Sequence, residues 1–300
     1  MEKHAYLIVA NSNFKVLEIC LKLIDDYRND IFLLLDKKSN VSSLHKDSLV
    51  NICSKSSVCV LEQIVNWGGY SQIKAVLKLI EKANESPETY KYIHFFQGSD
   101  LPIKNQDQIH DFFDNNYGKE FVMIEKSRKE MAVRKTKHWH LFCHNRFFRK
   151  SKFVKCINFG LVYLQKILHI EKHLDMDVYQ GSALFSITGE CAKYIESKAG
   201  DIYKTFRFSL AADEVFLQSI LMASNYRSNI ANIEKDITSN ARLIDRTRPD
   251  GKNSPHVWRK NEFDYIVNQS EDICFARKFD EKIDFEIVEK IYKHIKGNDA

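Results

Sequence analysis

The sequence predicts an α/β protein: a mainly parallel central sheet flanked by helices, with a more helical C-terminal half. Three observations carry this. Short apolar runs alternate with helical spacing through the first 125 residues, as in successive βαβ units. Several of those runs end abruptly at a small or acidic residue, as strands do at the ligand-binding edge of an open sheet. Beyond that region the apolar positions fall mostly at helical intervals.

In chain order, residues 5–10 (AYLIVA) read as a fully buried strand, followed by a helix over 13–27 with Val16, Ile19, Cys20, Leu23 and Ile24 on one face. Residues 31–35 (IFLLL) form a second buried strand ending at Asp36, and 58–60 a short third one. Residues 72–82 repeat the helical pattern through Ile73, Val76, Leu77 and Ile80. The run 92–96 (YIHFF) is the next strand, and it empties into QGSDLPIK, 97–104. Asn105 and Gln108 then make a capping box for a helix bearing Ile109, Phe112 and Phe113. Residues 121–124 read as a strand, 167–174 as a helical stretch, 181–188 (GSALFSIT) as a strand and 190–198 as a helix. Residues 213–222 (DEVFLQSILM) read as a helix with two acids in its first turn, where the helix dipole favours them. Residues 226–262 read mostly as loop or short strand, and 284–296 as a terminal amphipathic helix.

The chain has 300 residues, 44% apolar and 28% charged, which suits a soluble globular protein with a sizeable core. Four prolines and ten glycines leave no linker, so residues 1–300 are expected to form one domain. MEKHAYLIVANSN does not read as a secretory signal, and no apolar run approaches the length of a membrane span. Seven scattered cysteines form no C-x-x-C pair and read as free thiols in a reducing compartment. The net charge of +5 is unevenly placed. Residues 126–155 hold eleven Lys/Arg and one acid, Glu130, interleaved with Trp139, Phe142, Phe147, Phe148 and Phe153. Nucleic acid, an anionic membrane surface or an anionic substrate would each suit that pattern, and so would a solvated basic face over core aromatics.

The chemistry-bearing motifs are sparse. VANSN, residues 9–13, lacks the glycines of a Walker A or dinucleotide-binding turn, which argues against a P-loop NTPase and a nicotinamide-dependent dehydrogenase. Asp175-Met176-Asp177 has the spacing of a divalent-ion motif, but it does not end a core strand. His140, Cys143 and His144 would share a face if helical, yet no fourth zinc ligand lies nearby. Ser182 is not in a nucleophile elbow. Asp213-Glu214 fits either helix capping or a divergent pair with a free carboxylate. Arg277 and Lys278 lie between Phe275 and Phe279, a setting for a phosphate or for snorkelling surface cations. Asn11, Asp36 and Asp100 each follow a strand and together suggest a ligand cleft.

Taken in order, AYLIVANSNF (5–14), LLLDKKS (33–39), VNWGGYSQI (65–73), YIHFFQGSDLPIK (92–104), GSALFSIT (181–188), AADEVFLQSIL (211–221) and FARKFD (275–280) resemble a bacterial member of the core-2/I-branching β-1,6-N-acetylglucosaminyltransferase family, to which peptide O-xylosyltransferases are related. The resemblance spans almost the whole chain. It implies a GT-A-like, inverting glycosyltransferase that works without a metal ion or other cofactor, with UDP-N-acetylglucosamine as the expected donor. It implies a nucleotide-sugar-binding half, 1–125, and an acceptor-binding, catalytic half, 126–300. Carried over position by position, Glu214 becomes the catalytic base, and Lys278 and Arg259 the cations that offset the leaving diphosphate. Val9, Asn11 and Asp36 fall at the uridine and ribose, and Trp67, Gly68, Gly69, Asp100, Gly181 and Ser182 on the donor side. Animal relatives carry an anchor and disulfides, and neither is expected of this chain. The corresponding expectation is a cytoplasmic enzyme acting on a glycan or lipid-linked acceptor for a bacterial surface polysaccharide, with peripheral contact at the inner membrane face through 126–155 and no nucleic-acid partner. UDP-xylose as donor, and a non-catalytic glycan- or nucleic-acid-binding protein, are the alternatives.

Overall fold

The computed structural model describes residues 2–248, 250 and 254–297. Its elements, in chain order, are β1 (Lys3–Ala10), α1 (Phe14–Ile24), β2 (Asn29–Asp36), α2 (Ser43–Asn51), β3 (Ser57–Gln63), α3 (Ser71–Asn84), β4 (Tyr90–Gln97), β5 (Asp100–Pro102), α4 (Gln106–Asn115) and β6 (Phe121–Glu125). They continue with α5 (Lys129–Thr136), α6 (Lys152–Ile167), β7 (Gln180–Thr188), α7 (Gly189–Ser197), α8 (Ala199–Phe206), α9 (Phe216–Met222), β8 (Arg242–Ile244), α10 (Phe263–Val267), β9 (Phe275–Arg277) and α11 (Glu286–Gly297). The alternation makes this the predicted α/β fold, mainly parallel and flanked by helices.

The described residues fall into two compact units, neither continuous in sequence. Unit one comprises 1–62, 87–118 and 241–300; unit two comprises 63–86 and 119–240. In unit one, β1 runs parallel to both β2 and β4, Ile8 opposite Leu33 on one side and Phe96 on the other. Every residue of β2 is buried, and β1 and β4 are nearly so. Strands covered on both faces must be apolar throughout, so AYLIVA and IFLLL are continuous runs rather than alternating ones. Helix α1 turns Val16, Leu17, Cys20 and Leu21 inward. Helix α4 starts at the predicted capping box: the Asn105 side chain accepts from the Gln108 N–H at 2.9 Å, and the Gln108 side chain from the Asn105 N–H at 3.1 Å. A second, three-stranded sheet has the order β5-β9-β8.

In unit two, β6 and β7 pair antiparallel. At Gly181 on β7, a Cβ would lie 1.9 Å from the Met123 carbonyl oxygen of β6. Only glycine fits, so the GSALFSIT pattern has a packing cause as well as a possible ligand role.

Two expected helices are corrected. Residues 213–222 do not form one helix. Ala212–Glu214 is a single 3-10 turn, Val215 at φ −132°, ψ −38° is neither helical nor extended, and α9 starts at Phe216 without a side-chain cap. The two acids therefore sit on a tight turn before the helix. The helical stretch placed at 167–174 is instead the end of α6, which stops at Ile167; residues beyond it are irregular. Of the loop or short strand read over 226–262, residues 249 and 251–253 lie outside the described residues; the rest carries the short strand β8 and short 3-10 turns.

Candidate active site

The candidate residues fall into two groups, one in each unit. In unit one, Val9 lies on β1 and its carbonyl accepts from the Gly98 N–H at 3.0 Å. Asn11 is exposed just beyond the strand, and the Ser39 hydroxyl donates to its carbonyl at 3.2 Å. Asp36, at the buried end of β2, accepts from the Lys38 N–H at 3.1 Å and pairs with the Lys38 ammonium at 3.3 Å. The carboxylate thus caps the 3-10 turn Lys37–Ser39.

Asp100 is almost wholly buried, and its oxygens are already used. Oδ1 accepts from Arg277 Nη1 at 2.5 Å, and Oδ2 from the Gln97 N–H at 2.7 Å. Arg277 also donates to Gln97 Oε1 at 2.6 Å. Asp100 and Arg277 stand opposite each other in the β5–β9 pair. The acid at the mouth of a buried strand therefore fixes the turn and holds the FARKFD segment to it.

Lys278 follows immediately in the chain. Its ammonium lies 3.4 Å from the Ser254 hydroxyl. Arg259 grips Asp250 through both Nη atoms, at 3.3 and 2.8 Å, and donates to the Val257 carbonyl at 2.7 Å. Its charge is thus matched by a carboxylate, which holds Asp250 down at about 2.

In unit two, Glu214 Oε2 accepts from two side chains: the Lys135 ammonium at 2.6 Å and Gln180 Nε2 at 3.1 Å. Lys135 is on α5 and Gln180 opens β7. Two donors on one oxygen suit the ionised carboxylate and fix its orientation. Beside it, burial and the charge of Glu214 push the Asp213 carboxyl up to about 7, against the opposing pull of Lys135. Asp213 Oδ2 accepts from Gln72 Nε2 at 2.9 Å, while Gln72 Oε1 accepts from the Gly68 N–H. The Ala211 N–H returns a bond to the Gly68 carbonyl at 2.9 Å. Through Gln72 the WGG loop and the acidic turn become one hydrogen-bonded piece.

Gly68 has φ +80°, and a Cβ on Gly69 would lie 2.9 Å from the Cys143 carbonyl, so each glycine has its own steric reason. Trp67 is exposed, with the Arg149 guanidinium 5.7 Å from its ring centre. Gly181 and Ser182 are buried in β7, where the Ser182 hydroxyl accepts from the Leu184 N–H at 3.2 Å. A cavity of about 570 Å³ opens among Met131, Arg134, Lys135, Lys137, Phe159 and Leu210, all of unit two. Lys135 joins its lining to Glu214.

The alternative metal motifs are placed too. Asp175 and Asp177 are exposed, 3.1 Å from His173 and 3.0 Å from Lys129 respectively. His140, Cys143 and His144 stand on turns rather than one helix face, and the Cys143 thiol donates to the Ser209 carbonyl. Among the described residues no group of three or more His, Cys, Asp or Glu could hold a metal ion.

Lys135, Gln72 and Gln180 were not singled out from the sequence. Lys135 lay within the basic stretch 126–155, but nothing in that stretch distinguished it from ten other cations.

The class of protein comes from comparison with known proteins, which gives a glycosyltransferase family. A sequence model described as Core-2/I-Branching enzyme matches residues 4–266, and the chain belongs to that family. Xylosyltransferase 2 of Rattus norvegicus is 20% identical over 314 aligned positions, covering 98% of this chain. Xylosyltransferase 2 of Canis lupus familiaris is likewise 20% identical over 316 positions. The chain spans about a third (34%) of the length of these curated relatives. Among solved structures, mouse xyloside xylosyltransferase 1 in its apo form aligns at TM-score 0.43 and 9% identity, covering 92% of this chain and 97% of that one.

Proposed function

We propose that the chain is an inverting, GT-A-like glycosyltransferase that moves N-acetylglucosamine from UDP-N-acetylglucosamine to a hydroxyl of a glycan acceptor, without a metal ion, in the cytoplasm during bacterial surface-polysaccharide synthesis. The observation that carries this reading is the double clamp on Glu214 by Lys135 and Gln180. A carboxylate held ionised and aimed is what a general base requires.

In the proposed step the acceptor oxygen attacks the anomeric carbon. The new C–O bond forms as the bond to the diphosphate breaks, the acceptor proton passes to Glu214, and the electron pair leaves with UDP. Lys278 supplies the positive charge that offsets the diphosphate. Arg259 contributes less, because Asp250 already matches it. Asp36 and Asn11 recognise the nucleoside, with Val9 supplying backbone at the base. Trp67, Gly68, Gly69, Gly181 and Ser182 shape the donor side. Asp100 acts through Arg277, by holding the strand β9 that leads into Lys278. The cavity lined by Arg134, Lys135 and Lys137 suits a polar or anionic acceptor.

The test is Glu214→Gln, which should lower transfer by about 10²–10⁴-fold while UDP still raises the melting temperature. Full transfer by that variant would refute the role. Transfer that collapses in excess EDTA would refute metal independence. A second reading, xylosyl transfer from UDP-xylose, is favoured by the xylosyltransferases among the relatives. Slow hydrolysis of a panel of UDP-sugars separates the two, because the preferred donor is hydrolysed fastest.

A further inference from the structure

We infer that unit two docks on an anionic lipid bilayer through α6, independently of which sugar the enzyme transfers. The helix spans sixteen residues, Lys152–Ile167, and only Asn158 and Val162 of it are buried. Phe153, Cys156, Gly160, Tyr163, Leu164 and Ile167 are exposed and recur every three or four residues. That spacing lays them in one stripe along the helix. The stripe is apolar yet faces solvent: Phe153 is 73% exposed and Tyr163 66%. It continues past the helix through Leu168 and Ile170, which are exposed as well.

The surrounding charge names the partner. From Met131 to Ile170 the sequence holds nine Lys/Arg and no Asp or Glu. Lys152, Lys155 and Lys166 flank the stripe, and none interrupts it. This is the arrangement of an interfacial helix: apolar side chains reach the acyl boundary while flanking cations meet anionic headgroups. A nucleic acid would need cations along the contact line, where α6 presents Phe, Tyr, Leu and Ile. A second copy of the same face would set Lys152, Lys155 and Lys166 against their like, and α6 itself carries no acid to pair them. At about 24 Å the helix is too short to cross a bilayer. Among the described residues no helix is long and apolar enough to do so, so α6 lies on the surface rather than through it.

The test is vesicle co-sedimentation of the full chain, with phosphatidylcholine vesicles set against vesicles containing 30% phosphatidylglycerol, roughly the charge density of an anionic leaflet. Binding is expected to the anionic vesicles and to weaken at least tenfold when salt rises from about 0.05 to 0.5 M. Tyr163→Asp with Ile167→Glu alters only exposed positions, so the fold should persist by circular dichroism, while binding falls at least tenfold. Donor hydrolysis in detergent-free solution should be unchanged, which keeps this outcome separate from failure of the proposed reaction. Absence of binding to either vesicle, binding that survives the double variant, or a dimer that the double variant dissolves would each overturn the proposal.

Discussion

Lys135 Nζ lies 2.6 Å from Glu214 Oε2, though 79 residues separate them in sequence. In the proposed step that proximity favours the ionised base, and the cation must tolerate its neutralisation as the proton arrives. Lys135→Met removes one charge-assisted bond, worth about 1.5–3 kcal/mol, so transfer should drop by roughly tenfold or more. Without the cation the carboxylate holds its proton more tightly. The acid limb of the kcat/KM profile should therefore move to higher pH, and a profile with an unmoved acid limb would show that Lys135 does not act on the base.

Asp213 gives a prediction of opposite kind. Its carboxyl is pushed up to about 7 in the folded protein, chiefly by burial, from an ordinary value of 3.8. Between those values the unfolded chain has lost the proton and the folded one keeps it, so stability falls as pH rises through that window. Asp213→Asn keeps the oxygen that accepts from Gln72 and abolishes the penalty. The variant should gain melting temperature relative to the parent at pH 8 and gain little at pH 4. Equal gains at both values would mean that Asp213 is not the titrating group.

The Asp100–Arg277 pair should be a stability element first and a ligand element second. Asp100→Ala leaves a mostly buried guanidinium without its carboxylate, at a cost of about 3 kcal/mol or more. Thermal melting should show a loss of several degrees, and UDP should stabilise the variant less than the parent because the loosened strand β9 leads into Lys278. Undiminished UDP stabilisation would separate Asp100 from the diphosphate site.

Gly181→Ala is the sharpest steric test. The new methyl would meet the Met123 carbonyl oxygen at 1.9 Å, and β6 must move. Destabilisation of about 3 kcal/mol or more is expected, read from denaturant midpoints. A melting curve like the parent's would mean that the strands have room to part.

Much of unit one was legible because its signals are local. Fully buried parallel strands are written as apolar runs, and the Asn105/Gln108 box marks its helix within four residues. The strands β5, β8 and β9 were not legible: three residues are too few for any periodicity, and each exists through pairing with distant chain. The 3-10 turn at Ala212–Glu214 was missed because Val215 and its neighbours keep helical apolar spacing while the backbone breaks. The division into two units was equally hidden, because the chain passes between them without a proline- or glycine-rich marker. In the candidate site, the motif blocks pointed to Glu214, Asp100 and Lys278, but their partners Lys135 and Arg277 are set by tertiary approach, which no spacing encodes.

The order β5-β9-β8 has a consequence for synthesis on the ribosome. Asp100 waits 177 residues for Arg277, and β9 is the strand that both β5 and β8 need. Such distant pairings are slow to close. In that second sheet, β5 must wait unpaired while residues 119–240 of unit two are being made. A nascent chain arrested before Phe275 should thus hold unit one open to proteases, and release of the last strand should close it.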